Sequence, residues 1–374
     1  MVTNQKLQKT YDFVLIGFNF SSLAFAQQLA RQGTSFCILD ARHSGAIPTK
    51  IIPKFDGKIY TRVPFNSGAE STQSTSLNMA NESFSLDEET PLSFEKGTFT
   101  SFLGFGDQKI GAIDAVAPYC LPNVLTSTIE PEVFWQQAYD DVKDHVFLDE
   151  EVTDLHWTDS FVTSITVNGK HKVQGLEFLF FDHLPFLFDK IGQEEKKLAS
   201  QFAKAKWYSS VNLIIVHANQ PKKVEMNKLY LLFGAKNQAC IGQWTQNHDF
   251  WISRWESFFS AELTQDSETT GQCLKEIKKQ LKRAFGEDLS PQDTEHIVIH
   301  DPAYADFSKM RVINGKLNYF KNLRAFPHGF GPEVGWIHQA HLGLQAFGDF
   351  FPDPAPPKNL SQSPNEVAAH DSPC

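Results

Sequence analysis

Two patterns of apolar and polar positions near the amino terminus together predict a βαβ unit. Residues 12–17 (DFVLIG) and 35–40 (SFCILD) are short, continuous apolar runs, as in strands that are buried on both faces. Between them, residues 21–32 place small and apolar side chains on a narrow face at helical spacing, and Gly33 is a typical helix stop. The expected unit has two parallel strands joined by a right-handed helical crossover.

The rest of the chain continues this alternation of strands and helices and predicts an α/β protein. Alternation from Phe161 to Val167 runs into Asn168-Gly169, a strong signal for a hairpin turn. Residues 66–101 are rich in Ser, Thr, Asn and Glu and predict loops or weak strands, whereas the Pro-rich tail after residue 351 predicts disorder. The other predicted elements are strands at 146–149, 152–157, 176–182, 208–218, 227–235, 296–302 and 322–326, and helices at 131–146, 270–285 and 337–351.

The turn between the first strand and the first helix carries a defective form of the dinucleotide-binding motif GxGxxG, namely Gly17-Phe18-Asn19-Phe20-Ser21-Ser22. In the intact motif the first glycine permits a tight turn, the second lets the backbone approach a pyrophosphate, and the third allows close packing of helix on strand. Gly17 keeps the first role and Ser22 is small enough for the third, but Asn19 adds a side chain near the pyrophosphate. Asp40 ends the second strand, where a carboxylate binds ribose hydroxyls. This context favours a nucleotide site; a βαβ unit without a ligand is the alternative.

Composition and charge narrow the classes of protein further. The chain has 374 residues, of which 41% are hydrophobic and 21% charged, enough for a large core and two structural units. The net charge of −10 argues against nucleic acid and anionic membranes as partners. No apolar run reaches the length of a membrane span, and the polar amino terminus lacks the core of a signal peptide. Five scattered cysteines without a CxxC pair predict reduced thiols, a cytoplasmic protein and no zinc site.

Four segments of the sequence together resemble one protein family. They are YDFVLIGFNFSSLAFAQQLARQGTSFCILDAR, the hairpin VTSITVNGKHKV with the following LEFLFFDHLP, GEDLSP, and NLRAFPHGFGPEVGWIHQAHLGLQA. In this order they resemble FAD-dependent oxidoreductases of the flavin amine oxidase, protoporphyrinogen oxidase and phytoene desaturase group. The resemblance covers most of residues 10–350, the middle only by the order of its elements. Two departures stand out: no Gly-Gly pair follows Asp40-Ala41-Arg42, and Phe326-Pro327-His328 occupies the place of the family's Gly and acidic residue.

The resemblance implies a Rossmann-like FAD-binding domain, a doubly wound sheet plus a β-meander, with an inserted α+β substrate domain. The implied FAD-binding domain is discontinuous, with the substrate domain between its segments and a disordered tail after it. FAD would be bound without a covalent bond, since no cysteine sits in an attachment motif. The implied segments are 1–50, 130–190 and 295–351 for FAD, 51–129 and 191–294 for substrate, and 352–374 for the tail. The implied FAD contacts are Gly17, Asn19, Phe20, Ser21, Ser22, Asp40, Ala41, Arg42, Val152, Gly331, Gly335 and Trp336.

Two further groups of residues are candidates for a substrate or a metal. A stripe formed by Trp251, Trp255, Phe258 and Phe259 is more often core than a binding site. In the family's layout the inserted domain covers the substrate pocket, so Trp251 and Trp255, with His328, are candidates for its wall. His338 and His341 are three residues apart on a predicted helix, but no carboxylate with ligand spacing accompanies them, so a packed or solvated helix face is favoured over a metal site.

The function that the resemblance implies is hydride transfer from a C–N or C–C bond of a small or apolar substrate to the flavin. No motif in the sequence fixes a catalytic acid or base, and no signature of a Ser/His/Asp triad is visible. One alternative is a catalytically inactive relative that acts as a binding or scaffold protein, which Asn19, the missing Gly-Gly pair and Pro327-His328 favour. A second is an NAD(P)-dependent reductase, against which the predicted carboxyl-terminal return to the flavin argues.

Overall fold

The fold is taken from a computed structural model, which describes much of the chain but not all of it. The described residues are 7–45, 49–51, 58–60, 67–70, 76–78, 83–85, 87–104, 124–126, 131–182, 184–196, 199–200, 203–204, 206–234, 239–247, 250–306, 312–313, 316–317, 319–326 and 336–352.

Strands make up most of the described elements, and five long helices accompany them. The strands are β1 (Thr10–Ile16), β2 (Phe36–Asp40), β3 (Thr49–Ile51), β4 (Lys58–Tyr60), β5 (Ser67–Glu70), β6 (Ser76–Asn78), β7 (Ser83–Ser85), β8 (Asp87–Glu89), β9 (Leu92–Glu95), β10 (Thr98–Ser101), β11 (Val124–Thr126), β12 (Val146–Leu148), β13 (Val152–Thr158), β14 (Phe161–Val167), β15 (His171–Phe180), β16 (Lys206–His217), β17 (Leu229–Phe233), β18 (Ala239–Asn247), β19 (Phe250–Ser260), β20 (Thr294–Asp306), β21 (Val312–Ile313), β22 (Lys316–Leu317) and β23 (Leu323–Ala325). The helices are α1 (Phe20–Gln32), α2 (Pro131–Val142), α3 (Leu184–Glu194), α4 (Ser267–Phe285) and α5 (Trp336–Phe350).

The first sheet is the doubly wound sheet that the sequence predicts. Its five central strands run parallel in the order β12-β2-β1-β15-β23, and β21 and β22 extend it beyond β23. Helices α1, α2 and α5 contribute to the apolar core on one face. The meander β13–β14 and helix α3 contribute to the core on the other. Because β1, α1 and β2 form the first crossover, the predicted βαβ unit is confirmed.

Helix α1 and strand β14 end at the residues where the sequence predicts a helix stop and a hairpin turn. Gly33 caps α1 in the left-handed conformation with a φ of 66°, which glycine adopts without steric cost. Asn168 and Gly169 both have positive φ between β14 and β15, as the two central residues of a type I′ turn require. Helix α2 ends earlier than the predicted 131–146, because Lys143–His145 form a 3-10 turn and β12 begins at Val146.

The second sheet has seven strands in the order β10-β9-β17-β18-β19-β16-β20. Helix α4 packs on one face through Cys273, Ile277, Leu281 and Phe285, which are the apolar positions of the predicted helix 270–285. Residues 66–101 contribute several short strands, as predicted, and two of them, β9 and β10, belong to this sheet.

One strand pairing bears on the predicted division of the chain. The segment 295–351 is predicted to belong to the FAD-binding domain, and its first strand, β20, pairs along its length with β16 in the second sheet, for example Ile299 opposite Val211. A periodic apolar strand does not specify its partner, so the pattern alone could not predict this pairing. The division into an FAD-binding and a substrate domain stays a prediction.

Two further findings concern the helices and the cysteines. Among the described residues, no helix is long and apolar enough to cross a membrane. The three described cysteines, Cys37, Cys240 and Cys273, are free and buried.

Candidate functional site

The candidate site lies at the carboxyl edge of the first sheet, between β1 and β15. In the strand order β12-β2-β1-β15-β23 the chain moves outward on one side of β1 and then resumes on the other. Open α/β sheets bind ligands at such a switch point. We call this place the switch-point crevice and define it by Gly17 and Asn19 on one side and Phe181 and Asp182 on the other.

Glycine is required at position 17 because the two sides of the crevice approach closely. Gly17 has a φ of +99°, a conformation that side chains rarely adopt. A Cβ at this position would lie 2.3 Å from the Cβ of Asp182, closer than any real contact. The first glycine of the motif therefore keeps its role as the tight turn after the strand.

Asn19 caps α1, and its side chain is turned into the crevice. Its Oδ1 accepts the Ser22 N–H at 3.0 Å, while the Ser22 Oγ accepts the Asn19 N–H at 2.9 Å, a reciprocal capping box. The Nδ2 of Asn19 donates to the carbonyl oxygen of Phe181 at 2.9 Å, across the crevice. Asn19 is 8% exposed. The side chain at the second glycine position thus occupies the helix N-terminus, where dinucleotide-binding proteins receive a pyrophosphate.

Asp40 ends β2 beside this turn and is held by the chain on both oxygens. Its Oδ2 accepts the Phe18 N–H at 2.7 Å. Its Oδ1 accepts the Arg42 N–H at 2.8 Å and the Arg42 Nε–H at 3.1 Å. A carboxylate oxygen has two acceptor sites, so Oδ2 retains capacity for a hydroxyl donor, although the residue is only 4% exposed.

Aromatic side chains fill the space under the turn. Phe18 is fully buried, with its ring centroid 4.9 Å from that of Trp135 and 5.7 Å from that of Tyr139. The Arg42 guanidinium lies over the same ring at 5.2 Å. This packing fixes the Phe18 backbone, whose N–H orients Asp40.

The carboxyl-terminal helix returns to the site as expected. Ser21 donates its hydroxyl to the carbonyl oxygen of Gln339 in α5 at 2.8 Å. Trp336, the first residue of α5, is fully buried with its ring 5.9 Å from Phe20. The structure therefore brings Trp336 to the motif residues, from more than 300 positions away.

The remaining predicted site residues differ in their placement. Ala41 follows Asp40 at the sheet edge, whereas Val152 starts β13 and is buried in the core on the opposite face of the sheet from α1. Gly331, Gly335 and His328 lie outside the described residues.

Trp251 and Trp255 lie on β19, not on a helix, and share one face of the second sheet. Trp255 is fully buried, and its ring is 5.3 Å from Phe285 of α4. Trp251 is partly exposed on the same face. For Trp255 this is the core interpretation that the sequence left open, because α4 covers it; the role of Trp251 in a pocket wall stays a prediction.

Sequence reasoning missed three contributors to the site. Phe181 takes part through its backbone carbonyl, and Asp182 through its proximity to Gly17. Because neither role depends on a motif of side chains, no sequence pattern marks these two residues. Tyr139 lies on α2, and no sequence pattern indicated that this helix packs beside the turn.

The structure also brings together a Ser/His/Asp set for which the sequence carries no signature. His217 Nδ1 lies 3.0 Å from Asp293 Oδ2, and its Nε2 lies 2.7 Å from Ser253 Oγ. Burial, opposed by Asp293, lowers the pKa of His217, so the neutral ring donates to Asp293 and accepts from Ser253. Ser253 is fully buried and Trp244 stacks on the imidazole at 4.2 Å, so a substrate cannot reach the hydroxyl. The set is a structural network.

A second polar network lies on the other face of the same sheet. Ser210 donates to Glu256 Oε1 at 2.6 Å, and Arg254 lies 3.7 Å from Glu256 Oε2. His300 lies 3.8 Å from the same carboxylate. Glu256 therefore has a hydrogen bond from Ser210, as buried polar groups must, and two partly buried basic side chains at ion-pair distance.

Comparison with known proteins identifies the fold. No protein-family model and no curated protein matches the sequence. Solved structures do match: an oxidoreductase from Methanosarcina mazei, at 9% identity over 90% of this chain and 99% of that one, has a TM-score of 0.58. A putrescine oxidase with redesigned cofactor binding matches at 11% identity over 91% and 99%, with a TM-score of 0.55. An FAD-dependent oxidoreductase from Pseudomonas aeruginosa matches at 9% identity over 94% of both chains, with a TM-score of 0.52.

These likenesses define the fold. The chain has the mixed α/β fold shared by these oxidoreductases, one of which is described as FAD-dependent, and this confirms the predicted fold class. At these identities the likeness concerns the fold, and the activity of this chain is argued separately below.

Proposed function

We propose that the protein is an FAD-dependent oxidoreductase that binds FAD without a covalent bond. The observation that carries the proposal is the arrangement at the switch point: Gly17, the N-terminus of α1 and the Asp40 carboxylate meet at one edge of the parallel sheet. In dinucleotide-binding folds the glycine forms the tight turn, the helix N-terminus binds the pyrophosphate, and the carboxylate binds the ribose. They fit the ADP half of FAD once the Asn19 side chain turns away from the crevice.

The finer proposal concerns the reaction. When bound, FAD would supply the acceptor for a hydride from a C–H bond of a small or apolar substrate, so that a C–N or C–C single bond becomes a double bond as a proton leaves the neighbouring atom, as in the amine-oxidase type of enzyme. The chain supplies the position of the cofactor and a pocket that excludes water. Putrescine oxidase among the structural neighbours supports this type, and the return of α5 to α1 supports FAD over a nicotinamide cofactor.

A visible absorption spectrum tests the proposal. We expect purified protein, or protein incubated with FAD and desalted, to show flavin absorption that bleaches under dithionite. Asp40→Asn should weaken FAD binding by about tenfold or more, since the loss of a charge-assisted hydrogen bond costs about 1.5–3 kcal/mol. Asp149→Asn, an exposed acid close to the same edge, is the matched control and should bind as the wild type does.

The second candidate is the catalytically inactive relative that acts as a binding protein. One observation favours it: the Asn19 amide and the burial of Asp40 leave the crevice closed by the chain's own atoms. Protein that shows no flavin spectrum and shows no change in intrinsic fluorescence on addition of FAD would establish this candidate over the first. Nucleotide released from boiled protein would in turn identify a nicotinamide cofactor.

A further inference from the structure

The feature that sets this site apart is a side-chain bridge across the switch-point crevice. The Asn19 Oδ1 accepts a hydrogen bond from the Ser22 N–H, and its Nδ2 donates one to the Phe181 carbonyl oxygen. One side-chain amide therefore joins α1 to the residue that follows β15. Both partners are backbone groups, and all three residues are buried. The hydrogen-bonding groups of this bridge are therefore shielded from water.

The bridge occupies the place that the dinucleotide motif leaves open. The second glycine of the motif has no side chain so that the backbone N–H groups at the helix start can approach a pyrophosphate. Here an amide oxygen already accepts one of those N–H groups and thereby serves as a neutral substitute for an anion. A pyrophosphate oxygen and the Asn19 Oδ1 would compete for the same donor.

We propose that Asn19 sets the affinity of this chain for a pyrophosphate-containing dinucleotide by competing with the pyrophosphate for the α1 N-terminus. Binding requires the amide to leave both the Ser22 N–H and the Phe181 carbonyl oxygen. The inference rests on the proposed FAD function and adds to it the residue that limits cofactor loading.

The backbone at position 19 makes the substitution a clean test. Its φ of −146° and ψ of −178° are extended, so glycine is not needed for conformational reasons and is tolerated there. Glycine is also an accepted N-cap residue, and its cost relative to asparagine is only a few tenths of a kcal/mol in general measurements. We therefore expect Asn19→Gly to fold and to free the crevice.

The experiment is a fluorescence titration of apoprotein with FAD, together with the rate of FAD binding by stopped flow. Asn19→Gly should lower Kd about tenfold, which corresponds to about 1.4 kcal/mol, and should bind faster. Asn19→Ser keeps a capping oxygen but is too short to reach the Phe181 carbonyl, so it should fall between the wild type and Asn19→Gly. Asp266→Gly removes the cap of α4, where the Asp266 side chain accepts the Glu268 N–H, and should leave FAD binding unchanged.

The outcomes separate this inference from the proposed function. Equal affinities and rates for wild type and Asn19→Gly, with FAD bound by both, would overturn the inference and leave the proposed function standing. Failure of wild type, Asn19→Gly and Asn19→Ser to bind FAD, with native circular dichroism, would overturn the proposed function itself. Binding by Asn19→Gly but not by the wild type would support the role of Asn19 and favour the inactive relative.

Discussion

At the scale of single residues, two glycines of the first βαβ unit have positive φ for different reasons. Gly33 caps α1 with open space around the position where a Cβ would be. Gly17 follows β1, with Asp182 packed directly against the place where its Cβ would be. The first requires only a left-handed backbone, whereas the second requires in addition the absence of a side chain.

The comparison of Gly33 and Gly17 predicts a difference in stability between their alanine variants. Gly33→Ala should destabilise the protein by about 1–2 kcal/mol, the cost of a left-handed conformation for an L-residue. Gly17→Ala should cost about 1–3 kcal/mol more, because the added methyl overpacks the contact with Asp182. Urea unfolding measures both. Equal losses would mean that backbone conformation alone explains glycine at position 17.

A second residue-scale prediction concerns acid stability through His217. Its pKa lies below the ordinary 6.5 because burial, only partly offset by Asp293, disfavours the charged ring. The unfolded chain therefore binds a proton at a higher pH than the native protein does. The stability that this residue contributes is present above about pH 6.5 and is lost as the pH falls toward the native pKa, with a slope of at most about 1.4 kcal/mol per pH unit for one proton.

Urea midpoints between pH 7.5 and 5 measure this contribution. The wild type should lose stability over this range more steeply than His217→Gln, which has no titrating ring at this position. His171→Gln, a change at an exposed histidine, is the control and should follow the wild-type slope. If stability fell with pH equally steeply in the wild type and in His217→Gln, folding would not lower the pKa of His217.

At the scale of elements, a glycine and a tryptophan on neighbouring strands shape the second sheet. Gly242 on β18 lies opposite Trp255 on β19, and a Cβ at position 242 would lie 1.9 Å from the indole ring. Without a side chain at 242, the indole covers the strand and reaches Phe285 of α4. The sheet and α4 thus pack through this glycine.

Two Gly→Ala substitutions in this sheet and helix should therefore change the stability of the protein in opposite directions. Gly242→Ala must displace Trp255 and should destabilise the protein by about 1–3 kcal/mol through overpacking. Gly271→Ala in α4, where open space surrounds the added methyl, should stabilise it by about 0.5–1 kcal/mol through helix propensity. Thermal unfolding of both variants checks the signs; stabilisation by Gly242→Ala would contradict the packing described here.

The sequence predicted elements better than their partners, for physical reasons visible in particular residues. The Asn168-Gly169 turn, the Gly33 cap and the apolar face of α4 depend on local conformation or on one helical period, so they follow from spacing alone. The pairing of β20 with β16 depends on which apolar face remains uncovered, a property of the assembled sheet.

The site shows the same division. The motif at residue 17 and the acid at residue 40 could be predicted from their order along the chain, whereas the return of Trp336 was implied by the family resemblance. The direction of the Asn19 amide could not, because it is decided by the Phe181 carbonyl oxygen, more than 160 residues away. The covering of Trp255 by α4 is likewise a tertiary contact.

At the scale of the whole molecule, the site joins parts that are distant in the sequence, so a ligand there should stabilise the fold as a unit. A ligand that binds only the native state raises the free energy of unfolding by RT ln(1 + [L]/Kd), or about 2.7 kcal/mol at a hundredfold excess over Kd. In the proposed function, the described part of the site holds the ADP half of FAD, with the α1 N-terminus toward the pyrophosphate and the Asp40 carboxylate toward the ribose.

We therefore expect ADP alone to raise the unfolding temperature in proportion to the logarithm of its concentration, while riboflavin at the same concentration has a smaller effect. The effect of ADP should increase in Asn19→Gly, where the Ser22 N–H at the α1 N-terminus no longer donates to the residue 19 side chain, and should decrease in Asp40→Asn. Inorganic phosphate at equal concentration controls for anion binding alone, because it lacks the ribose that Asp40 would hold. Stabilisation by riboflavin but not by ADP would locate the affinity for FAD outside the switch-point crevice, since the two groups test opposite halves of the cofactor.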